Sequence, residues 1–306
     1  MVEGLAYDRD SGVYIVDAWA EVVPGIIASY LIPLAGGRAA IVDPGPASSV
    51  GRLRRVLDSL GLRVSHVLVT HVHLDHAGAT GSLLKAYPDA VAYVHPRGAP
   101  HLAEPSRLWE SSKQVMGDVA EAYGRPEPAP RERLLETRDG ERIELPGGRV
   151  LRVIHTPGHA SHHQSFYDEE AGILYSGDSA GIILETSVGV VRAPTTPPRL
   201  KPKLYIESIE RMMKLNAASI APTHFGLWGN AMEELALQKE IFISWMNILL
   251  EIYREGVRSP PDAAKRLALR DPNASLIMRS GGVVRDFFLY ETVWGMLDAI
   301  ERGEWP

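Results

Sequence analysis

His71-Val72-His73-Leu74-Asp75-His76 places four metal-binding side chains within six residues. The residues before it, Val64-Ser65-His66-Val67-Leu68-Val69-Thr70, are patterned as a buried strand. The cluster therefore opens where a strand gives way to a loop, the position at which open α/β folds place chemistry. His71 and His73 alternate by two and can point one way. Asp75 and His76 follow in a turn and can point another.

Upstream of this strand, Val13 to Val16 reads as a strand. Ile26 to Leu34 and Arg38 to Asp43 are two more, joined by the hairpin Ala35-Gly36-Gly37. Val50, Leu53, Val56, Leu57 and Leu60 have helical spacing, and Gly61 follows as a cap. Downstream, a helix is expected from about Ala79 to Tyr87, a strand over Ala90 to Val94 and helix over 105–123. Gly124-Arg125-Pro126-Glu127-Pro128-Ala129-Pro130 is a stiff surface linker. A second β-rich half begins near Glu132, with strands at 141–145, 150–155, 164–168 and 172–176. A helix from about Lys203 to Leu215 and a strand at Ser219 to Ala221 follow. Two β-rich halves carrying helices suggest two sheets packed face to face with helices outside. From about Asn230 the chain turns helical, with helices expected at 231–254, 261–269 and 286–302. This divides the chain into a catalytic domain, 1–229, and a helical subdomain, 230–306. The segment 240–254 is apolar nearly all round and calls for burial on several sides. Packing within the subdomain, a homodimer contact or the wall of an acyl pocket would each provide it.

Composition narrows the function. The 306 residues contain no cysteine, which removes disulfides, thiolate nucleophiles and Cys-based zinc sites. The formal net charge of -6 argues against a general nucleic-acid binder. The most apolar stretch, Ile241 to Leu250, falls short of the roughly 18–20 residues that span a bilayer. No basic patch followed by an apolar run opens the chain, so a cytoplasmic protein without membrane attachment is expected. The lack of cysteine and the abundance of Arg and Pro resemble thermophilic usage.

Three further strand ends carry candidate ligands. Thr156-Pro157-Gly158-His159 follows the strand 150–155, Tyr175-Ser176-Gly177-Asp178 follows 172–176, and Pro222-Thr223-His224 follows 219–221. One sheet edge could gather them with the cluster, giving His71, His73, Asp75, His76, His159, Asp178 and His224. Imidazole and carboxylate donors without thiolate favour Zn(II), Fe(II) or Mn(II). Seven donors exceed one tetrahedral ion and suit two divalent ions, most simply zinc, sharing a carboxylate and a water. Two ions about 3.5–4 Å apart would bring the pKa of that water towards about 7 and polarise a carbonyl or phosphoryl oxygen.

The set His71-x-His73-x-Asp75-His76, Thr156-Pro157-Gly158-His159, Ser176-Gly177-Asp178 and Thr223-His224 resembles the metallo-β-lactamase superfamily in its glyoxalase II-like and lactonase-like branch. The resemblance implies an α/β (α+β) fold, the αββα sandwich of two mixed β-sheets flanked by helices, here with a C-terminal helical extension. It implies that His71, His73 and His159 hold one metal, that Asp75, His76 and His224 hold the second, and that Asp178 bridges. Asp75 would also orient the hydroxide, making Asp75 and Asp178 the catalytic carboxylates. Thr70 and Gly78 complete the family's turn. His163 matches a supporting histidine of the family, expected to hydrogen-bond rather than ligate. His155 reads as a strand-end or supporting residue, His162 as solvent-facing, and His66, His95 and His101 as structural. Phe225, Leu227 and Trp228 follow a ligand and are candidates for lining a substrate pocket. Residues 182–198 are either a lid or an irregular connection.

The implied activity is a dinuclear hydrolase whose metal-bridging hydroxide cleaves a carboxylic ester, lactone or thioester of a small molecule. Phe225-Gly226 after Thr223-His224 departs from the Gly-His-Glu context of true glyoxalase II and points away from glutathione thioesters. A mononuclear iron persulfide dioxygenase shares much of the ligand pattern and is the alternative. The flavodiiron branch carries Glu where His73 stands. A nuclease or phosphodiesterase is disfavoured by the acidic balance, and a non-catalytic metal-stabilised protein by the complete ligand set.

Overall fold

The computed structural model describes residues 3–306. By its contacts the chain forms two compact units. One runs up to His155 and takes in His162–Gly177; the other comprises Thr156–Ser161 and Asp178–Pro306. The helices after 230 thus group with the elements that follow Asp178.

The first unit is built on a seven-stranded mixed sheet in sequential order. β1 (Leu5–Asp8), β2 (Val13–Asp17), β3 (Ala28–Leu34) and β4 (Arg38–Val42) pair antiparallel. Gly36 and Gly37, both at positive φ, turn the hairpin between β3 and β4. Helix α1 (Val50–Leu60) follows, and Gly61 closes it in the left-handed conformation, donating to Leu57 and Asp58. β5 (Arg63–Leu68) then runs parallel to β4. The short helix α2 (Leu74–Ala77) and α3 (Thr80–Ala86) lead to β6 (Val91–Val94). A short helix, α4 (Ala99–Ala103), comes first, and the region 105–123 predicted as one helix is two: α5 (Ser106–Met116) and α6 (Asp118–Tyr123). Pro105 and Gly117, the latter at positive φ, mark the breaks. β7 (Leu134–Glu136) pairs parallel with β6. The second β-rich half of the sequence therefore contributes its first strand to the first sheet.

One face of this sheet buries Ile41, Val67 and Ala92 against Leu53, Val56 and Leu57 of α1 and Leu83 and Leu84 of α3. Each of the Val, Leu and Ile side chains among them is worth about 1.5–3 kcal/mol when fully buried. A second sheet carries β8 (Arg142–Glu144), β9 (Val150–His155), β10 (Gln164–Asp168) and β11 (Ile173–Tyr175) as antiparallel neighbours. Tyr30 of β3 and Tyr175 of β11 meet between the sheets, ring centroids 5.4 Å apart.

In the second unit, residues 182–193 form the hairpin of β12 (Ile182–Thr186) and β13 (Gly189–Ala193). This stretch is regular rather than an irregular connection. α7 (Pro202–Met213) leads to β14 (Ser219–Ala221), which pairs with β15 (Trp228–Gly229). α8 (Ala231–Arg254) buries Phe242, Trp245, Met246 and Leu249, and α9 (Pro260–Ala268) packs beside it. α10 (Pro272–Ser280) adds a helix between those expected at 261–269 and 286–302; Asp271 caps it, accepting from the Ala274 amide at 2.9 Å. α11 (Gly282–Arg285), a π-helical turn (Asp286–Tyr290) and α12 (Glu291–Glu301) complete the unit. No helix among the described residues is long and apolar enough to cross a membrane.

Arg149, in the turn between β8 and β9, donates from Nε to Oδ2 of fully buried Asp168 at 2.5 Å. Removing one partner of such a pair strands the other charge in the core. Arg149→Met should cost about 3–5 kcal/mol of unfolding free energy, to be read from urea denaturation, with Arg149→Met/Asp168→Asn recovering much of the loss.

Candidate metal centre

β4 and β5 are parallel neighbours, so their carboxyl ends lie at the same edge, with Val42 opposite Leu68. Asp43 leaves β4 there and Thr70 leaves β5. Asp43 is fully buried at φ +46, a conformation that Asp tolerates better than most residues. Its Oδ1 accepts the Thr70 amide at 2.8 Å, and its Oδ2 accepts the Thr70 hydroxyl at 2.6 Å and the His76 Nδ1–H at 2.8 Å. The backbone is held too: Asp43 N–H donates to Leu68 O at 3.0 Å and the Ser29 hydroxyl to Asp43 O at 2.6 Å.

These bonds assign the histidine tautomers. The Thr70 hydroxyl gives its one proton to Asp43, so its lone pairs face His71 Nδ1 at 3.1 Å. His71 Nδ1 therefore carries the proton, and Nε2 is the acceptor nitrogen, 2.9 Å from His73 Nδ1. His76 likewise spends Nδ1–H on Asp43, so its Nε2 is the basic nitrogen, 3.6 Å from Asp75 Oδ2. Fixing one nitrogen on a carboxylate or hydroxyl is the arrangement that prepares the other for a metal. Ligand atoms of His71 and His73, of His71 and His76, and of Asp75 and His76 lie within 4.8 Å of one another.

The loop needs its small residues. A Cβ on Gly78 would come 2.5 Å from Leu74 O and 2.7 Å from Ala47 N. Gln164 ties β10 to the end of β5, its N–H donating to Thr70 O at 2.8 Å and its Nε2 to Val69 O at 2.9 Å. That brings His163, fully buried, against the His71 ring at 4.8 Å between centroids. His162 is half-buried, its ring 6.2 Å from His71 and 5.8 Å from His73.

The second unit gathers the other candidates. His159 Nε2 is 3.5 Å from Asp178 Oδ2, and His224 Nε2 is 3.7 Å from Asp178 Oδ1. His159 donates Nδ1–H to Thr195 O at 2.8 Å, so Nε2 is again the basic nitrogen. The Thr195 hydroxyl donates to Asp178 O at 2.8 Å. Gly158 admits no side chain, since a Cβ would lie 2.4 Å from Tyr205 N and Cα. His224 is framed by the β12 strand: Ile183 N–H donates to His224 O at 2.8 Å and Phe225 N–H to Ile183 O at 3.3 Å. Phe225 and Trp228 are half-buried, and Trp228 Nε1–H donates to Phe225 O at 2.8 Å.

These groups suit a divalent ion. Donor atoms on one tetrahedral zinc at about 2.0–2.2 Å stand roughly 3.3–3.6 Å apart, close to the His76–Asp75, His159–Asp178 and His224–Asp178 spacings of 3.6, 3.5 and 3.7 Å. Asp43 and Thr195 are absent from the sequence-level candidates. Asp43-Pro44-Gly45, an acid at the end of an apolar strand, was a usable cue; Thr195 had none, because its carbonyl does the holding. The His155 ring lies 4.3 Å from that of His95, while the His66 ring lies parallel to Tyr93 at 6.1 Å.

The chain matches the sequence profile of the metallo-beta-lactamase superfamily over residues 22–224. It is 34% identical over 191 residues to the metallo-beta-lactamase fold-containing protein ST1585 of Sulfurisphaera tokodaii, covering 61% of this chain and 68% of that one. The solved structure of ST1585 superposes with a TM-score of 0.68 at 24% identity, covering 94% of this chain and 98% of that one. The metallo-beta-lactamase family protein TTHA1429 of Thermus thermophilus gives 0.65 at 26% identity, over 90% and 89%.

Two outcomes are expected. Asp43→Asn turns an amide NH2 or a single acceptor towards donors that now share a carboxylate, and zinc affinity measured against a competing chelator should fall roughly 10–100-fold. Burial first, then His155 and Arg97, push His95 down to about 4. Between about 6.5 and about 4 the unfolded chain binds a proton there that the folded chain does not, so stability falls as pH falls through that window. His95→Gln should flatten this slope in metal-free protein; an unchanged slope in acid unfolding would show that the buried ring is not its source.

Proposed function

The chain belongs to the metallo-β-lactamase superfamily, and from that premise we propose that it is a metal-dependent hydrolase cleaving a carboxylic ester, lactone or thioester of a small molecule. The observation that carries the proposal is the tautomer pattern. His71, His76 and His159 each commit Nδ1–H to a protein oxygen, which presents Nε2 as a ligand. Following the family pattern, His71, His73 and His159 would hold one ion, Asp75, His76 and His224 would hold a second, and Asp178 would serve both. An all-His/Asp donor set accepts zinc, iron or manganese, and two zinc ions are proposed.

Such ions, when bound, bring a water's pKa towards about 7 and polarise a carbonyl oxygen. The chain's own groups supply the rest. Asp75 accepts a hydrogen bond from the attacking water and aims its lone pair. Asp43 and Thr70 keep the imidazoles from rotating, which preserves a fixed geometry for attack. Phe225 and Trp228 offer apolar surface for the group attached to the carbonyl. The formal charge of -6 supports a small-molecule substrate over nucleic acid.

Elemental analysis of protein expressed without metal bias should give two zinc ions per chain. A chelator should abolish hydrolysis across a panel of short esters, lactones and thioesters, and added zinc should restore it. Asp178→Asn should lower kcat/KM by more than the roughly 10–100-fold expected for an outer partner. One iron per chain, with oxygen consumed on a persulfide and no metal-dependent hydrolysis, would overturn the reading in favour of a dioxygenase.

A further inference from the structure

The three proposed ligands of the second unit, His159, Asp178 and His224, connect to the same short stretch near the chain's end. Thr195 contacts two of them, its carbonyl accepting His159 Nδ1–H at 2.8 Å and its hydroxyl donating to Asp178 O at 2.8 Å. The residues on either side of Thr195 are in turn held by one residue of α12. The Thr292 hydroxyl donates to Pro194 O at 2.9 Å, and the Thr196 hydroxyl donates to Thr292 O at 2.7 Å. Both threonines are 2% exposed.

One turn further along α12, Gly295 meets the same segment backbone to backbone. A Cβ there would lie 1.7 Å from Thr196 O and 2.5 Å from its carbonyl carbon. Glycine is a poor residue for a helix interior, so its position in α12 follows from this close approach rather than from helix formation. One turn before Thr292, the Phe288 ring packs against His224, centroids 5.1 Å apart and planes at 64°. Phe288, Thr292 and Gly295 thus form one stripe of the π turn and α12, facing the supports of all three ligands.

We propose that this stripe is a strut that positions the metal ligands, with Phe288, Thr292 and Gly295 as positioning residues; the proposal rests on the metal-dependent reading above. The physical reason is the nature of the His159 contact. A main-chain carbonyl fixes the tautomer, so what matters is where the 194–196 backbone lies, and α12 sets that place. A displacement of about 1 Å would take a 2.8 Å bond outside hydrogen-bonding range and free the imidazole to exchange tautomers. The helical tail then does more than cover the unit: it sets the affinity of the site.

Thr292→Val is nearly isosteric and removes the hydroxyl, Thr292→Ser keeps it, and Gly295→Ala forces the segment to move. In the full chain, zinc affinity by chelator competition should fall roughly 10–100-fold in Thr292→Val and Gly295→Ala and stay near wild type in Thr292→Ser. In metal-free protein, the imidazole 15N resonances of His159, assigned against His159→Gln, should report a fixed Nδ1–H in the wild type and in Thr292→Ser, and tautomer exchange in the other two. Thr292→Val that folds cooperatively and keeps both wild-type zinc affinity and the fixed Nδ1–H pattern would overturn the strut. Wild-type protein that takes up no zinc would sink the functional reading instead, and the 15N contrast would still decide the strut.

Discussion

The carboxylate of Asp43 accepts hydrogen bonds from the Thr70 amide, the Thr70 hydroxyl and the His76 imidazole in a fully buried position. A buried charge of this kind is tolerable only when its lone pairs are filled, and filling them dictates the local structure. It pins the end of β5 to the end of β4, directs the Thr70 lone pairs at His71, and holds the His76 ring. The left-handed backbone at Asp43 is disfavoured in isolation, and these bonds stabilise it. The loop that carries the candidate ligands is therefore organised from underneath, by a residue outside the candidate ligand set.

The second unit reaches the same chemical end by another route. There a main-chain carbonyl, Thr195 O, takes the role that a carboxylate and a hydroxyl play in the first. Both devices protonate Nδ1 and leave Nε2 basic. The carboxylate device depends on a side chain, so a single substitution removes it. The carbonyl device depends on backbone placement, so it is sensitive to whatever supports that backbone, here the last helix through Thr292 and Gly295. On the strut proposal, a helical extension after the last candidate ligand would in this way influence the candidate ligands.

Substrate choice rests on different features from the ligand set. Structural similarity to ST1585 at 24% identity shows the fold, and the candidate ligand motifs support the proposed class of chemistry. Of the residues proposed to meet a substrate, Phe225 lies in the connection from β14 to β15 and bonds to Ile183 of β12, while Trp228 is on β15, paired with Ile220. The cation of Arg192 on β13 sits 6.0 Å from the Trp228 ring and is paired twice with Glu234 of α8 at 2.7 Å. Those contacts tie the hairpin to β15 and α8.

Local pattern carried the ligand motifs, the strands that precede them and the buried character of α8, because each is written in neighbouring residues with a period of two or 3.6. The family resemblance followed from motifs of the same local kind. Tertiary structure decided what no short window contains. β7 joined the first sheet because Leu134 finds its partner far back in the chain, at Ala92 of β6. The β12–β13 hairpin lacks strict alternation because Ile182, Ile183 and Leu184 are all buried. Asp43, Thr195 and Thr292 gained their roles from partners 27 to 98 residues away. The sequence alone determined which side chains could bind a metal, since that is a property of the residues themselves. Which nitrogen of each imidazole is presented, and how firmly, was decided by the fold, since a tautomer is fixed only by the partner packed against the other side of the ring.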